Sequence, residues 1–435
     1  MAVSTRSVAD ALGAIVGAGA VKSGEAGRPV DGVVPRWVVE PAATEELGSV
    51  LGLAHAEKLV VVPRGSGSAM ALGHPLTHAD LVVDLGRMDG ILEYNPDDLT
   101  MTVGAGATLG SLEARLRACG QFLPLDPPGA ATRTIGGLVA TNASGPLRVR
   151  YGTSRDLLLG IRFVQADGVV TWGGAKVVKS VTGYDVPKLM VGALGTLGIL
   201  AELTLRLHPL PACERTWIVG LGAAERAQAF VASLIDSSLQ PNRVEWLNAV
   251  AARTWTQTPT TAAILISVGS VEAAVRAQQA QMEGLARQAG GVMREVAHEG
   301  WLGYGARRDS AGAVTLRVGT LASALANTIT GLEGALADIA PAAALAVTGS
   351  AVVGALRAEL LRASPAEASA FVSRARTLVE PVSGSVIIEQ APIAVRRAVD
   401  PWGPVAPEPF ALMRAIKREF DPEGILNPGR FVGGL

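Results

Sequence analysis

Short apolar runs and turn-rich polar segments alternate through the first half of the chain. Residues 38–41 (VVEP) read as a short strand. Thr44 precedes Glu45 and Glu46, which predicts a helix to about His55 with Thr44 as its cap and acidic residues in its first turn. Residues 59–63 (LVVVP) have the length and composition of a buried strand, and residues 81–85 form another. Residues 90–94 and 100–103 flank Asn95-Pro96-Asp97-Asp98 and predict a hairpin. Thr108 caps a helix to about Cys119. Residues 157–166 and 169–172 pair about Asp167-Gly168, a strong hairpin signal. A short helix at 186–190 and a long strand at 198–207 close this block. The order, β-α-β and then antiparallel strands, is that of an α+β unit.

The pattern changes after Pro209-Leu210-Pro211. Apolar strands at 216–221, 263–268, 314–318, 343–347 and 385–388 alternate with amphipathic helices near 224–239, 272–288, 321–339 and 365–379. Glu225, Arg226, Arg276 and Glu283 mark solvent faces, and the layout predicts two β-α-β-like units. Residues 399–409 are Pro-rich and read as a linker. Residues 408–420 space Phe410, Met413, Ile416, Lys417 and Phe420 for one packed helix face and its edge. The expected division is an N-terminal helical segment (1–33), a first domain (34–210), an α+β cap (211–398), and a linker with a C-terminal helix and turn (399–435).

Composition narrows the classes. The 435 residues are 49% hydrophobic and 18% charged, enough for a large core and too apolar for disorder. The formal net charge of −1 asks for no polyanionic partner, so nucleic acid is not expected. Cys119 and Cys213 are read as two free buried thiols, too few for an iron–sulfur cluster or structural zinc. The longest uncharged runs, 254–271 and 339–356, contain Pro and several polar residues, so no membrane span is expected and the chain reads as cytoplasmic.

The candidate chemistry lies in Gly-rich turns at the ends of apolar segments. Strand 59–63 runs into Arg64-Gly65-Ser66-Gly67-Ser68-Ala69-Met70, where successive N–H groups can turn toward a phosphate. The loop lacks the Lys-Ser/Thr of a P-loop and does not fit G-x-G-x-x-G, so an ordinary surface turn stays open. Thr134 caps a short helix beginning at Ile135-Gly136-Gly137, whose free N–H groups would make a second anion site. Two donor-rich turns suit a diphosphate with a flat ring system between them. A Gly-rich domain with tight turns and no ligand is the open alternative.

PRGSGSAMALG, PPGAATRTIGGLVATNASG, RYGTSRDLLLGIRFVQADG and KSVTGYDVPKLMVGALGTLGIL occur in order, and LMRAIKREFDPEGILNPGRF closes the chain. Together they resemble the PCMH-type FAD-binding domain of the vanillyl-alcohol-oxidase flavoprotein superfamily. More narrowly they are similar to the FAD-linked 2-hydroxyacid oxidases and dehydrogenases, most of all to the FAD-binding E subunits of bacterial glycolate oxidases. The resemblance implies an α+β fold: a two-subdomain PCMH-type FAD-binding domain, an α+β cap and a C-terminal helix returning to the FAD domain. It implies FAD held by Pro63, Arg64, Gly65, Ser66, Gly67, Ser68, Ala69, Pro128, Gly129, Thr134, Ile135, Gly136 and Gly137. Thr141, Asn142, Ser144, Gly145, Tyr151, Gly152, Gly195, Thr196, Gly198, Ile199 and Asn427 complete the implied set. No His stands in the first loop, so the FAD is expected to be noncovalent.

The implied activity is that of an FAD-binding subunit of a 2-hydroxyacid (glycolate-type) dehydrogenase. Its implied partners are a catalytic flavoprotein subunit and an iron–sulfur subunit, with peripheral inner-membrane attachment through them. The His-rich metal site of the catalytic members has no counterpart among His55, His74, His78, His208 and His298. Two alternatives stay open: a non-catalytic FAD-holding or relay subunit, and a stand-alone FAD-dependent alcohol oxidase. Arg150, Lys179, Tyr184, Glu389 and Arg430 are candidates for a carboxylate clamp or base by residue type only, and none is assigned as catalytic. Trp246, Trp255, Trp301 and Tyr304 are read as core or interface anchors before pocket walls.

Overall fold

The computed structural model describes residues 5–26, 29–176, 183–305 and 313–435. Two sheets share the first core. One has strands Val21–Ser23, Trp37–Val39, Leu81–Asp84 and Val61–Arg64 in that spatial order. Trp37–Val39 and Val61–Arg64 both run parallel to Leu81–Asp84, and helix Thr44–Ala56 makes the crossover that parallel strands need. The other sheet is antiparallel, in the order Ile91–Asn95, Thr100–Gly104, Ile199–Arg206, Leu158–Val164, Val170–Gly174. Leu47, Leu51, Val61, Leu81, Val103, Leu138, Ile161 and Leu203 fill the space between the layers.

Thr44 does not cap its helix. It is buried, and its Oγ1 donates to Glu202 Oε1 of the second sheet at 2.8 Å. Glu46 Oε2 takes the N–H of Ala42 at 2.7 Å instead. A carboxylate across the interface is a stronger acceptor partner than a neutral local N–H is a donor, so the hydroxyl turns inward.

The second core lies under an eight-stranded antiparallel sheet. Its order is Val292–Val296, Cys213–Leu221, Ala262–Ser270, Arg243–Asn248, Ala344–Ser350, Ala355–Leu361, Val314–Gly319, Ser385–Gln390. Each half is a β-α-β-β-α-β unit, so the expected β-α-β-like units exist but are split by an intervening strand. Helices Ala224–Ile235, Glu272–Gln288, Leu325–Ile339 and Pro365–Val379 cover one face, over Phe230, Trp246, Ile264, Leu316, Phe371 and Ile388. Strands Arg243–Asn248, Val292–Val296 and Ala355–Leu361 escape the hydrophobic pattern. In RVEWLN and ALRAELL, alternate positions carry charge toward the uncovered face, and each reads as polar.

Alternation then decides what that uncovered face presents. Val314, Leu316, Val318, Leu356, Ala358, Val386 and Ile388 point to the helices. Glu245, Arg317, Thr348, Arg357 and Glu389, one residue out of phase, point the other way, into a cleft shared with residues 127–153 of the first domain. Trp246 is fully buried on the helix side, whereas Trp255, Trp301 and Tyr304 stack in series on the opposite face, at 5.4 and 5.1 Å.

Helix Pro407–Phe420 returns to the first domain. Ile416 and Phe420 pack on its core, and Lys417 is buried. The Lys417 ammonium donates to Thr196 O (2.7 Å), Leu426 O (3.0 Å) and Asp421 Oδ2 (2.5 Å). The chain beyond it adds to the edge of Val61–Arg64: Val61 N donates to Ile425 O and Asn427 N to Val61 O, both at 2.8 Å. Both cysteines are free, but neither is buried; Cys119 is exposed at a helix end and Cys213 half-buried at a strand start. Among the described residues no helix is long and apolar enough to cross a membrane.

Candidate functional site

A groove of about 880 Å³, partly open to solvent, runs between the two sheets of the first domain. The loop after Val61–Arg64 forms one wall. Arg64 is held by Asp84 at 2.9 Å, and the loop turns at Gly67 with φ 76°. Among the described residues the N–H groups of Ser66, Gly67, Ser68 and Ala69 find no acceptor. The absence of a side chain at Gly65 is a packing requirement: a Cβ there would lie 2.1 Å from Thr134 Oγ1 on the opposite wall. Gly136 is equally constrained, its Cβ position 2.8 Å from the Ala105 Cβ. Gly195, at φ 70°, lies where a Cβ would meet Pro63 Cγ at 2.4 Å. The groove is therefore a backbone cradle, narrow because its glycines let the walls approach.

One part of the sequence expectation fails. Helix Ile135–Ala140 offers no free N–H groups at its start. Ile135 N and Gly136 N donate to Ala107 O (2.8 Å) and Ala105 O (2.9 Å), and Gly137 N donates to Thr134 Oγ1 (3.3 Å). The neighbouring sheet reaches the helix end and consumes its donors, which sequence does not foretell.

The C-terminal turn closes the far wall. Asn427 adopts φ 43°, and its Nδ2 donates to Leu194 O at 2.8 Å. Its Oδ1 is buried with no partner. A buried orphan acceptor lining a groove is an unfilled place for a ligand N–H. Arg430 also lines the groove; its two terminal nitrogens are held by Asp31 (2.6 Å) and the carbonyls of His74 (2.9 Å), Leu72 (3.1 Å) and Met70, while its buried Nε has no partner among the described residues. Asp31 also pairs with Arg396, so one carboxylate ties residue 31, the groove wall and the tail. Burial raises the Asp31 carboxyl, but the two arginines and the Leu76 N–H outweigh it and hold it below its usual range.

Of the residues expected at the cofactor, Pro63–Ala69, Thr134, Gly136, Gly137, Thr141, Gly195, Gly198, Ile199 and Asn427 line this groove. Pro128, Asn142, Ser144 and Gly145 line the interdomain cleft, and Gly129 a third cavity. Ile135 is core, Thr196 Oγ1 is turned back onto Ala193 O (2.7 Å), and Tyr151 packs on Phe122 and His208 beside Gly152. Met70, Leu85, Ala105, Met190 and Leu194 also line the groove; Met70, Met190 and Leu194 lie within the motif segments and Leu85 and Ala105 outside them, and apolar character is the one signal they share. Of the type-only candidates, Tyr184 is 95% exposed, Arg150 binds Gln240 at 3.0 Å, and Lys179 lies outside the described residues. Arg430 is structural, and Glu389 lies in the cleft.

The cleft is a different kind of site. Arg317 and Arg357 face each other across the strand ladder, an unfavourable pairing of like charges unless an acid intervenes. Glu389 is that acid, 2.9 Å from Arg317 and 3.4 Å from Arg357. Burial pushes the Glu389 carboxyl up, but these arginines overcome it and hold it below its usual range. From the other wall Arg133 is 9% exposed; among the described residues its one side-chain hydrogen bond is a long one, 3.4 Å to Thr141 Oγ1, its Nε has no partner, and Glu389 attracts it across the cleft. Arg317 Nη1 donates to Thr141 O at 3.2 Å. Thr141 lines the groove, so the arginine cleft and the groove share a wall one residue thick.

Deeper in the cleft, Tyr304 donates its hydroxyl to Glu245 Oε2, while Glu245 Oε1 is buried and unpartnered. Burial raises the Glu245 carboxyl to about 8, against the Tyr304 hydrogen bond that lowers it. Beside it Arg243 bridges the domains, 2.9 Å from Asp126 and 2.6 Å from Glu214. Among the described residues no three His, Cys, Asp or Glu side chains gather closely enough to hold a metal ion.

Comparison with known proteins now decides the cofactor. The family model of the FAD binding domain matches residues 35–174, and that of the FAD linked oxidase C-terminal domain matches 404–431. This is an FAD-binding protein. The residues present fit that cofactor: a glycine cradle with free N–H donors, an apolar groove and an orphan acceptor at Asn427. The chain is 33% identical over 215 residues to glycolate oxidase subunit GlcD of Bacillus subtilis, covering 49% of this chain and 46% of that one. It is 40% identical over 157 residues to subunit GlcE of Escherichia coli, covering 36% and 44%. Against the D-lactate dehydrogenase (cytochrome) of Arabidopsis thaliana identity is 33% over 222 residues, covering 51% and 38%. The matches thus span less than half the length of these relatives. In structure it aligns with p-cresol methylhydroxylase (TM-score 0.77, 15% identity, 98% of this chain and 96% of that one). It aligns likewise with alkyldihydroxyacetonephosphate synthase (TM-score 0.75, 16% identity, 98% and 85%). The α+β fold is that of the PCMH-type FAD-linked oxidases, FAD domain, cap and returning C-terminal helix included.

Proposed function

We propose that the chain is an FAD-dependent oxidoreductase that oxidises the CH–OH group of a 2-hydroxy acid. The observation that carries this reading is the shared wall at Thr141: arginines suited to a carboxylate stand directly beside the groove suited to FAD. Residues 64–69 would cradle the diphosphate through their N–H groups, and Asn427 Oδ1 would accept a hydrogen bond from the cofactor. When bound, FAD supplies the acceptor for the hydride leaving the substrate carbon. Arg133 and Arg317 would orient the substrate carboxylate through charge-assisted hydrogen bonds. Glu245, with Tyr304 holding one carboxyl oxygen, is the cleft group that would take the hydroxyl proton through its unpartnered Oε1 once it ionises as pH rises toward about 8.

The likeness to two glycolate oxidase subunits extends the proposal to a complex with a catalytic flavoprotein subunit and an iron–sulfur subunit. Anaerobic mixing of the purified yellow protein with a panel of 2-hydroxy acids tests the chemistry. The flavin band should bleach with at least one acid and with no simple alcohol. If no acid bleaches it alone but one does after co-expression with the partner subunits, the chain is an FAD-holding relay subunit. If simple alcohols bleach it instead, it is an alcohol oxidase of other specificity.

A further inference from the structure

The arginines of the cleft exceed what one carboxylate needs. Glu389 answers Arg317 and Arg357. Arg133 and Arg148, both from the first domain, make no ion pair of their own among the described residues; Arg133 shares Glu389 with those two arginines, and Arg148 has Glu245 and Asp156 within electrostatic reach. Arg133 is almost fully buried with Nε unpartnered. Arg148 makes no side-chain hydrogen bond or ion pair among the described residues. Its nearest acids are partly engaged elsewhere: one Glu245 oxygen by Tyr304, and Asp156 by Thr153 N and Oγ1 at 2.8 and 2.9 Å. Both arginines lie close enough to Arg317 to be repelled by it. They therefore flank it as two separate sites of only partly compensated charge on one cleft, Arg133 beside the FAD groove and Arg148 toward Glu245. Holding a buried Arg133 and a half-buried Arg148 among other arginines with too few carboxylates is costly, and a ligand that brings two anions reduces that cost.

We infer that the substrate is a 2-hydroxy dicarboxylate, its α-carboxylate on Arg133 and its second carboxylate on Arg148. The inference rests on the 2-hydroxy acid reading for the identity of the first carboxylate and goes beyond it in requiring the second. Arg148 would thus discriminate between substrates, while Arg133 and Arg317 would orient all of them.

The test is calorimetric titration of the FAD-loaded protein with unreactive anions. Succinate should bind at least tenfold tighter than propionate, and Arg148→Gln should weaken succinate at least tenfold while changing propionate less than threefold. Flavin content and the melting curve establish that the variant is folded; if it is not, Arg148→Lys and the wild-type comparison carry the test. Succinate and propionate binding within threefold of each other, or inorganic phosphate binding tighter than succinate, overturns the inference. A parallel anaerobic experiment compares D-malate and D-2-hydroxyglutarate with D-lactate. Tight succinate binding without bleaching by any hydroxy acid keeps the dianion site and removes the oxidoreductase reading. Bleaching by D-lactate as fast as by the dicarboxylates keeps that reading and removes the second carboxylate.

Discussion

The FAD groove and the interdomain cleft share a wall at Thr141 and are built on opposite principles. The groove recognises through backbone: free N–H groups on one loop, glycines where two walls nearly touch, and one orphan amide oxygen. Its residues come in contiguous runs because backbone donors must follow one another along the chain. The cleft recognises through side chains: Arg133 and Arg148 from one domain, Glu245, Arg317, Arg357 and Glu389 from four strands of the other. A cofactor common to many enzymes suits the first construction; a particular substrate suits the second, where one side chain can be exchanged without moving the backbone.

The contrast predicts different failures. Gly65→Ala should be the most damaging change, because its Cβ would collide with Thr134 Oγ1 at 2.1 Å and force the groove walls apart. The protein should purify almost colourless, read from the ratio of flavin to protein absorbance; a normal yellow preparation would show that the walls yield. Asp31→Asn should cost about 3–5 kcal/mol in denaturant unfolding, since it leaves Arg396 and Arg430 buried against a neutral partner. A loss below about 1 kcal/mol would mean that the carbonyl acceptors alone support Arg430.

Arg133→Gln should do what no groove variant can: keep full FAD content and lower kcat/KM for the hydroxy acid about 10- to 100-fold, a loss of about 1.4–2.8 kcal/mol. Loss of flavin along with activity would erase the distinction between the two sites.

Glu245→Gln should change stability by an amount that depends on pH. The folded carboxyl titrates at about 8, above the ordinary value of 4.5, so the folded protein holds this proton where the unfolded chain has lost it. The contribution of the neutral, hydrogen-bonded Glu245 is complete below about 4.5 and disappears as pH rises through about 8. Asp126, Arg148, Arg243 and Tyr304 are the titratable or charged neighbours that set this balance. Thermal melts of wild type should fall relative to Glu245→Gln by up to about 1.4 kcal/mol per pH unit across that window. Parallel melting curves would place the proton elsewhere. The variant should also lose the rise in turnover toward pH 8 if Oε1 takes the hydroxyl proton.

Legibility in the sequence followed the same divide. The hairpin about Asp167-Gly168, the cap on Thr134 and the run from Arg64 to Ala69 were readable because each is a local relation within a few residues. The cap strands Arg243–Asn248 and Ala355–Leu361 were not, because their charges face a cleft that exists only once both domains are folded. Arg133 lies within a motif segment and Arg148 between two of them, and neither is marked out as a cleft residue, since nothing local distinguishes a guanidinium that lines a cleft from a surface one.

Sequence alone determined the FAD-binding fold and its cradle, because glycine placement, turn chemistry and hydrophobic period act over short distances and survive without knowledge of neighbours. Tertiary structure alone decided that the donors of helix Ile135–Ala140 are already spent, that Arg430 is a lock, and that four arginines line one cleft, two of them reaching Thr141. Charges separated by up to about 220 residues of chain become neighbours only when two domains close on one another, and their pairing, not their presence, sets what the cleft can hold.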